Sequence, residues 1–378
     1  MDVEILIVGG GPAGAVAGLT LLEREPWRAP GVLLLEASRH PRAKPCGGVI
    51  SARALPVVER LAGALGGVPQ RRILHAEVHH RGRRQTLPLP RPALAVERAA
   101  FDAALMDAFR EGGGVVREAT RLIGLVPRVG GWTARLAGPD GERVLSARGV
   151  VGADGALSAT RRLAGLPLGT RRARLALADC PVVDTDPPPD TMAFTLAPAL
   201  DHHGYYWNFP APRAGGGLLR NRGVFHHGRN PPARPSALLE HHLATAGVRP
   251  LARPRSAVQR LFEPGLPCAT CGLLLIGEAV GADPITGEGI GHALGEGALA
   301  ARFVSEALDE GELGFAGWTA RLVRTEARVL RQHAWVARLA YGPLQRYWTE
   351  RIMEAPTVPA AALRRFSGQR NSGRQRLG

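Results

Sequence analysis

The order of hydrophobic and polar positions at the start of the chain predicts a strand, a tight turn and a helix. Residues 3–8, VEILIV, are mostly apolar and are followed directly by GGGPAG. Apolar residues then recur at helical spacing through AVAGLTLLERE. A second apolar run at residues 31–38, GVLLLEAS, has the composition of a parallel strand buried on both faces. Together these segments predict a β-α-β unit.

The pattern changes twice further along the chain. Residues 73–97 alternate short apolar stretches with turn residues, which is typical of antiparallel strands, and an amphipathic helix follows until glycines stop it. Strand pairs are predicted over 115–148, and RGVVGADGALSATRRLAG then repeats the order of strand, glycine turn and helix. Residues 170–262 are rich in Pro, Gly, His and aromatic residues, and we interpret them as an inserted sheet. From 272 the chain returns to a strand, a loop and long helices.

The composition indicates a globular protein rich in arginine. Hydrophobic residues make up 45% of the 378 residues, and 48 basic residues against 33 acidic ones give a formal net charge of +15. The arginines are scattered along the chain, which favours a general bias over a nucleic-acid site, since a binding footprint should cluster. Lys44 is the one lysine in the sequence, and it lies in PRAKPCGG at 41–48.

Cysteine content and hydropathy indicate where the protein works. Four cysteines are too few for a disulfide framework in a chain of this length. The acidic N-terminal residues do not resemble a signal peptide, and no apolar run is long enough to span a bilayer. We therefore expect a cytoplasmic protein, for which any contact with a membrane is peripheral.

The first glycine turn carries a nucleotide-binding pattern. Gly9, Gly11 and Gly14 fit G-x-G-x-x-G between a strand and a helix, and Glu36 ends the second strand. Glycine at these positions permits the tight turn and lets a pyrophosphate approach the free N–H groups of the helix N-terminus. The Glu36 carboxylate can accept hydrogen bonds from a ribose. The motif predicts a dinucleotide site without distinguishing NAD from FAD.

Two later segments favour FAD. VVGADGALSATRR, with Asp154 in its turn, and LLLIGEAVGADPITGEGIGHAL, with Glu278 and the loop 287–290, resemble the second and third signatures of p-hydroxybenzoate hydroxylase-like flavoproteins. The resemblance implies that an acidic side chain reaches the ribityl hydroxyls of the cofactor. It also implies that the helix start at Gly289 and Ile290 lies at the pyrimidine end of the flavin, where negative charge accumulates on reduction.

Four segments narrow the resemblance to one family. PRAKPCGG, ERAAFD, GYYWNFP and GEAVGADPITGEGI together resemble the geranylgeranyl reductase family, and the likeness covers roughly residues 1–330 by motif order. The resemblance implies FAD reduced by NAD(P)H or another electron donor, and an apolar small-molecule substrate such as a prenyl lipid, a quinone or a natural product. It implies the following cofactor site: Gly9, Gly11, Gly14, Glu36, Lys44, Cys46, Gly47, Gly48, Arg98, Leu122, Asp154, Glu278, Pro284, Gly287, Gly289 and Ile290.

The expected fold class is α/β. A Rossmann-like FAD-binding domain, with a parallel sheet and crossover helices, carries an inserted antiparallel-sheet substrate domain and a C-terminal helical region. The FAD-binding parts are expected at 1–70, 99–168 and 265–310, and the substrate sheet at 71–98 and 169–264. C-terminal helices are expected at 311–360, with a basic disordered tail at 361–378.

The PRAKPCGG loop is expected to lie against the flavin. Gly47 and Gly48 would let the backbone approach the ring, and Cys46 would then deliver a proton to a carbon that has accepted hydride. Packing of the thiol on the ring is the alternative role. Lys44 offers a compact ammonium for a phosphate or carboxylate, although a single surviving lysine also fits chance.

The aromatic stretch and the activity leave alternatives open. Tyr205, Trp207 and Phe209 alternate, so in a strand they share one face, which would line either an apolar substrate channel or an ordinary core. The chain has Gly277–Glu278 where the family has Gly-Asp, which puts the ribityl contact in question. The predicted activity is reduction of carbon–carbon double bonds, and the alternative is a monooxygenase or halogenase. Adjacent histidines on a strand face opposite ways, so no metal site is expected.

Overall fold

The computed structural model describes residues 2–196, 203–228, 233–342 and 345–354, so the predicted tail at 361–378 lies outside the described residues. Within these ranges the strands are β1 Asp2–Val8, β2 Val32–Leu35, β3 Val49–Ile50, β4 Gln70–His80, β5 Arg83–Val96, β6 Val115–Arg117, β7 Arg121–Arg128, β8 Gly131–Gly138, β9 Gly141–Gly152, β10 Arg172–Cys180, β11 Thr191–Leu196, β12 Gly204–Pro212, β13 Leu218–His227, β14 Arg255–Arg260, β15 Ala269–Thr270 and β16 Leu273–Leu275. The α-helices are α1 Pro12–Arg24, α2 Leu55–Arg60, α3 Ala62–Leu65, α4 Arg98–Glu111, α5 Ala159–Leu163, α6 Pro235–Thr245, α7 Ile290–Asp309, α8 Trp318–Arg324, α9 Arg328–Ala340 and α10 Gln345–Glu354.

The first sheet has the parallel core that the sequence predicts. Its strands run in the order β15-β16-β9-β1-β2-β6, and β1 pairs in parallel with both β2 and β9. Strand β2 is fully buried, as expected for a strand covered on both faces. Strands β7 and β8 extend β9 as an antiparallel ribbon. The predicted β-α-β unit at the N-terminus is therefore confirmed.

The second sheet is antiparallel except for one pair. Its order is β14-β10-β13-β12-β11-β4-β5-β3, and β11 runs parallel to β4. Strands β4 and β5 precede α4 in the chain, whereas β10 to β14 follow α5, so the chain enters this sheet in separate passes. Strand β3 comes directly after the CGG loop and pairs with β5, which fixes that loop to the edge of the second sheet.

Helices α1 and α7 pack closely against each other. A Cβ atom at Gly297 of α7 would lie 2.5 Å from the carbonyl oxygen of Ala13 on α1. A side chain there would push the helices apart, so glycine is required for this separation. Among the described residues, no helix combines the length and apolar character needed to cross a membrane.

A buried carboxyl group on α7 makes folding depend on pH. Glu296 has no exposed surface, and this burial raises its pKa from 4.5 to about 8, although a hydrogen bond from the Gly277 N–H opposes the shift. The folded state therefore holds the proton more tightly than the unfolded state does. The resulting stabilisation is complete below pH 4.5 and is lost as the pH rises through about 8.

Replacing Glu296 by glutamine is expected to stabilise the protein at alkaline pH only. The free energy of unfolding should exceed that of the wild type by about 2–5 kcal/mol at pH 9 and match it at pH 5. Urea denaturation at both pH values measures this difference. The matched control is Glu306→Gln on the same helix, where the carboxylate is exposed and pairs with Arg321. Equal shifts for both variants would contradict the prediction.

Candidate functional site

A cavity of about 660 Å³ opens where β1, β2 and the start of α1 meet. This volume lies within the range of small-molecule and cofactor sites. Most of the predicted cofactor residues line it: Gly9, Gly11, Glu36, Lys44, Cys46, Arg98, Leu122, Asp154, Glu278, Gly287, Gly289 and Ile290. The predicted residues Gly14, Gly47, Gly48 and Pro284 are not among those that line it.

The three glycines of the first turn have different steric roles. Gly9 has a φ of 111°, and a Cβ there would lie 2.5 Å from the carbonyl oxygen of Ala153. A Cβ on Gly14 would lie 2.0 Å from the carbonyl oxygen of Gly9, so this glycine lets α1 pack against the turn. Gly11 meets only the tip of Arg42, at 3.7 Å. The open side of the turn is therefore at Gly11, beside the N-terminus of α1.

The Glu36 carboxylate holds the turn and also faces the cavity. It accepts the N–H of Gly10 at 2.9 Å and the N–H of Ser38 at 2.8 Å. The Arg42 guanidinium lies 3.7 Å from the same carboxylate and 3.5 Å from Asp102. Arg42 thus brings a positive charge next to the open glycine, where an anionic group would bind, and the sequence interpretation missed it.

The second signature orders its own helix. Asp154 accepts the Ser158 hydroxyl at 2.5 Å and the Thr160 N–H at 2.8 Å, and Ser158 is the N-cap of α5, where it accepts the Arg161 N–H at 2.9 Å. Arg161 is fully buried, and its guanidinium donates to the carbonyl of Ala279 at 3.3 Å. This hydrogen bond joins the second signature to the third. It gives Arg161, the first arginine of SATRR, a structural role.

Lys44 and Glu278 face the same part of the cavity. The Lys44 ammonium is 4.0 Å from the position of a Cβ on Gly155. Burial raises the pKa of Glu278, although the charges of Lys44, Arg98 and Arg260 act in the opposite direction. The lysine therefore lies within electrostatic reach of a carboxyl group that lines the cavity.

Cys46 lies beside an ordered arginine. Its sulfur accepts the Gly48 N–H at 3.4 Å. Arg98 donates to both oxygens of Asp102, at 3.0 and 2.9 Å. Burial acts against the charge of Arg98, but Asp102 and the neighbouring Cys46 side chain raise the pKa of the guanidinium above its usual value. The arginine is thus held by Asp102 in the neighbourhood of Cys46.

The glycine pair after Cys46 packs on protein groups. A Cβ on Gly47 would lie 2.9 Å from the ring of Phe209, and Gly48, with a φ of 75°, would place one 2.7 Å from the carbonyl oxygen of Val96. These contacts require glycine whether or not a flavin ring is near. Both glycines line a second cavity next to the first.

This second cavity, of about 100 Å³, has an aromatic wall. Tyr205, Trp207 and Phe209 of β12 all line it, so the predicted sharing of one strand face is observed. The Tyr205 ring stacks on Phe225 at 5.1 Å, and Trp207 donates its indole N–H to Asn221 at 2.9 Å. With the polar tip of Trp207 satisfied inside the sheet, its apolar surface faces the cavity.

The two cavities share a wall. Cys46, Gln259, Gly289 and Ile290 line both of them. Gln259 donates to the carbonyl of Gly287 at 2.8 Å, whereas its buried Oε1 atom has no hydrogen-bond partner among the described residues. A buried acceptor without a partner is costly unless a ligand or water donates to it.

The comparison with protein families shows to which family the chain belongs. Residues 2–195, just over half of the chain, match the family described as FAD binding domain. The chain belongs to this FAD-binding family. The α/β fold class, with its mixed parallel sheet, second antiparallel-rich sheet and C-terminal helices, is confirmed, and FAD is the cofactor of the family domain.

The relatives also match the predicted family. The chain is 27% identical to a digeranylgeranylglycerophospholipid reductase from Methanothrix thermoacetophila over 343 residues, covering 84% of this chain and 81% of that protein. It is 32% identical to digeranylgeranylglycerophospholipid reductase 2 from Methanothermobacter thermautotrophicus over 181 residues, which spans 47% of this chain and only 45% of that protein. The predicted resemblance to geranylgeranyl reductases is thereby confirmed.

Solved structures support the same fold. A geranylgeranyl bacteriochlorophyll reductase-like protein from Thermoplasma acidophilum has a TM-score of 0.70 and 20% identity, covering 97% of this chain and 92% of that chain. The flavin-dependent brominase Bmp2 has a TM-score of 0.71 and 17% identity, and the match covers 97% of this chain and 94% of the brominase chain. At these identities the likenesses concern the fold alone.

The described residues of this FAD-binding protein fit the cofactor. Gly11 leaves the N-terminus of α1 open, whereas at the N-terminus of α7 the Glu288 carboxylate accepts the Gly291 N–H at 3.2 Å. The N-terminus of α1 therefore presents N–H groups without a side-chain cap to the cavity. The unpartnered Oε1 of Gln259 adds an acceptor at the boundary of the two cavities. Arg42 and Gln259 line the same cavity, although the sequence motifs assigned neither residue a role.

Glu288 is the other residue that sequence reasoning missed. It lines the aromatic cavity, its side chain is 8% exposed, and it accepts the Ser51 hydroxyl at 2.7 Å. Burial raises its pKa above the ordinary 4.5, while the Ser51 hydrogen bond and the Arg53 charge oppose the shift. Its position between two glycines in GEGI, residues 287–290, was the available sequence signal.

Proposed function

We propose that this FAD-dependent oxidoreductase saturates carbon–carbon double bonds in an apolar, prenyl-type substrate. The observation that carries the proposal is the position of Cys46 in the wall shared by the FAD cavity and the aromatic cavity. An alkene held in the aromatic cavity would face both the cofactor and a group that can carry a proton. The names of the relatives as prenyl-lipid reductases support the same reaction.

The residues around the first cavity would hold the cofactor. Arg42 and the N-terminus of α1 would bind its pyrophosphate, and Glu36 would accept from a ribose. Lys44 and Glu278 would lie along its middle. When bound and reduced, FAD supplies the hydride, and two electrons must first come from NAD(P)H or from a redox protein that docks transiently.

The residues of the second cavity would position the alkene and complete the reduction. Tyr205, Trp207 and Phe209 would hold the apolar chain and exclude water. The Cys46 thiol would give its proton to the carbon that remains after hydride addition, which balances the saturated product. The Arg98 guanidinium, oriented by Asp102, would stabilise the negative charge left on the sulfur.

Glu288 would be a second proton-holding group at the same cavity. Because burial raises its pKa, it stays protonated to higher pH than an ordinary glutamic acid. Turnover should therefore fall as the pH rises through this pKa. Glu288→Gln is expected to lower turnover about 10–100-fold and to remove that decline with rising pH.

The rate–pH profile of the two proteins measures this effect. Glu326→Gln is the control, because Glu326 pairs with the same Arg53 and lines neither cavity. An unchanged profile in Glu288→Gln would remove this residue from the chemistry.

Anaerobic turnover tests the proposed reaction. The FAD-loaded protein is reduced with dithionite and mixed with prenyl lipids, quinones and polyketides. The masses of the products are then measured by mass spectrometry. The proposal requires a product that gains two hydrogen atoms per saturated bond without oxygen. No product under these conditions, with an oxygenated or halogenated one in air, would favour the monooxygenase or halogenase alternative instead.

A further inference from the structure

Helix α9 has an exposed face that mixes large apolar residues with arginine. Trp335 is 67% exposed, Leu339 54% and Val336 41%. Leu339 follows Trp335 by four positions and Val336 by three, so its side chain is next to both on the helix surface. The opposite face is buried through Leu330, His333, Ala334 and Ala337. The helix is thus fixed to the protein on one side and apolar on its solvent side.

The charges on this helix have one sign. Its 13 residues include three arginines and no acidic residue. Arg328, Arg331 and Arg338 are exposed on the same side as Trp335, and the Arg338 guanidinium lies 5.2 Å from the centre of the Trp335 ring. None of the three forms an ion pair with an acidic side chain among the described residues. The face therefore matches a surface that is apolar inside and negatively charged outside.

The buried side of α9 contacts the loop that forms the aromatic cavity. His333 lies 2.5 Å from the Asp283 carboxylate, and Asp283 accepts the N–H groups of Ile285 and Thr286 at 2.7 and 3.1 Å. Tyr341, next after the helix, donates its hydroxyl to the Ile285 carbonyl at 2.5 Å. Thr286 lines the cavity. The exposed helix is therefore connected, through residues 283–286, to the aromatic cavity in which the alkene is expected.

We propose that the exposed face of α9 docks the protein on an anionic lipid bilayer. Trp335, Val336 and Leu339 would enter the interfacial region, while Arg328, Arg331 and Arg338 would contact lipid phosphates. This orientation would bring the aromatic cavity close to the membrane that supplies an apolar substrate. The origin of the substrate rests on the proposed function, whereas the docking itself does not.

Vesicle sedimentation of the FAD-loaded full chain tests the docking. Binding is expected to vesicles of phosphatidylcholine with phosphatidylglycerol, and to be much weaker with phosphatidylcholine alone. Trp335→Ala should lower the partition coefficient at least about tenfold, and Arg331→Glu should lower it at least about fivefold. Trp27→Ala and Arg128→Glu are the matched controls, since Trp27 is 71% exposed in another part of the chain and Arg128 is exposed on β7.

Three outcomes would overturn the proposal. The first is that the wild-type protein does not bind anionic vesicles, and the second is that the control variants lose as much vesicle binding as the α9 variants. The third is that the protein self-associates through this face, and that Trp335→Ala abolishes the self-association without changing vesicle binding. Alkene reduction with a short detergent-dispersed substrate separates this test from the proposed function. Docking variants should keep that activity, so loss of vesicle binding with intact reduction affects this inference alone.

Discussion

Replacing Gly11 by valine is expected to remove FAD binding while the cofactor-free protein keeps its stability. Gly11 has an ordinary φ of −79°, and its Cβ position meets only the Arg42 side chain, at 3.7 Å. A valine would therefore fit the fold but fill the space where a pyrophosphate approaches the α1 N-terminus. FAD affinity should fall at least about 100-fold, equivalent to about 2.8 kcal/mol. Fluorescence titration with FAD and thermal unfolding of the cofactor-free protein measure the two effects.

Two other glycines provide the comparison. Gly63→Val should change neither property strongly, because no atom lies within 4 Å of the added Cβ. Gly14→Ala should lose FAD together with stability, since its Cβ would lie 2.0 Å from the Gly9 carbonyl oxygen. Normal FAD affinity in a folded Gly11→Val protein would place the cofactor somewhere other than this turn.

Replacing Cys46 by alanine is expected to slow alkene reduction by about 10²–10⁴-fold with FAD still bound. The proton donor would be lost, while the cavity contacts of the cofactor stay. The measurement is anaerobic single turnover, in which reoxidation of the reduced flavin by the alkene is followed in the stopped-flow spectrometer. Cys46→Ser should restore part of the rate, because a hydroxyl can also donate a proton.

The control for this experiment is Cys271→Ala. Cys271 is exposed and lines neither cavity. Its removal tests for a general effect of cysteine loss. A Cys46→Ala enzyme with wild-type rates would leave the thiol with a packing role only, which was the alternative that the sequence left open.

The fold was largely readable from the sequence because its signals are local. The run from residue 3 to Gly14 predicted β1, the turn and α1, and alternation predicted the common face of Tyr205, Trp207 and Phe209. Strand neighbours were harder, since β11 lies beside β4 across more than one hundred residues of chain. No local pattern specifies such a pairing.

Residues of the site were predictable at positions where the backbone geometry allows only glycine. Gly9 and Gly14 are examples, because any side chain there would collide with a carbonyl oxygen. Arg42, Gln259 and Glu288 have no such local requirement. Their places at the cavities depend on how segments distant in the chain come together, so only the structure brings them there.

The crystal structure of the FAD complex is the most direct test of the proposed active site. The account predicts the cofactor along the 660 Å³ cavity, with its flavin ring against the Cys46 sulfur and the N-terminus of α7. The face of the ring should be open to the cavity of Tyr205, Trp207 and Phe209. A flavin ring that lies away from Cys46, or that is shielded from the aromatic cavity, would contradict it.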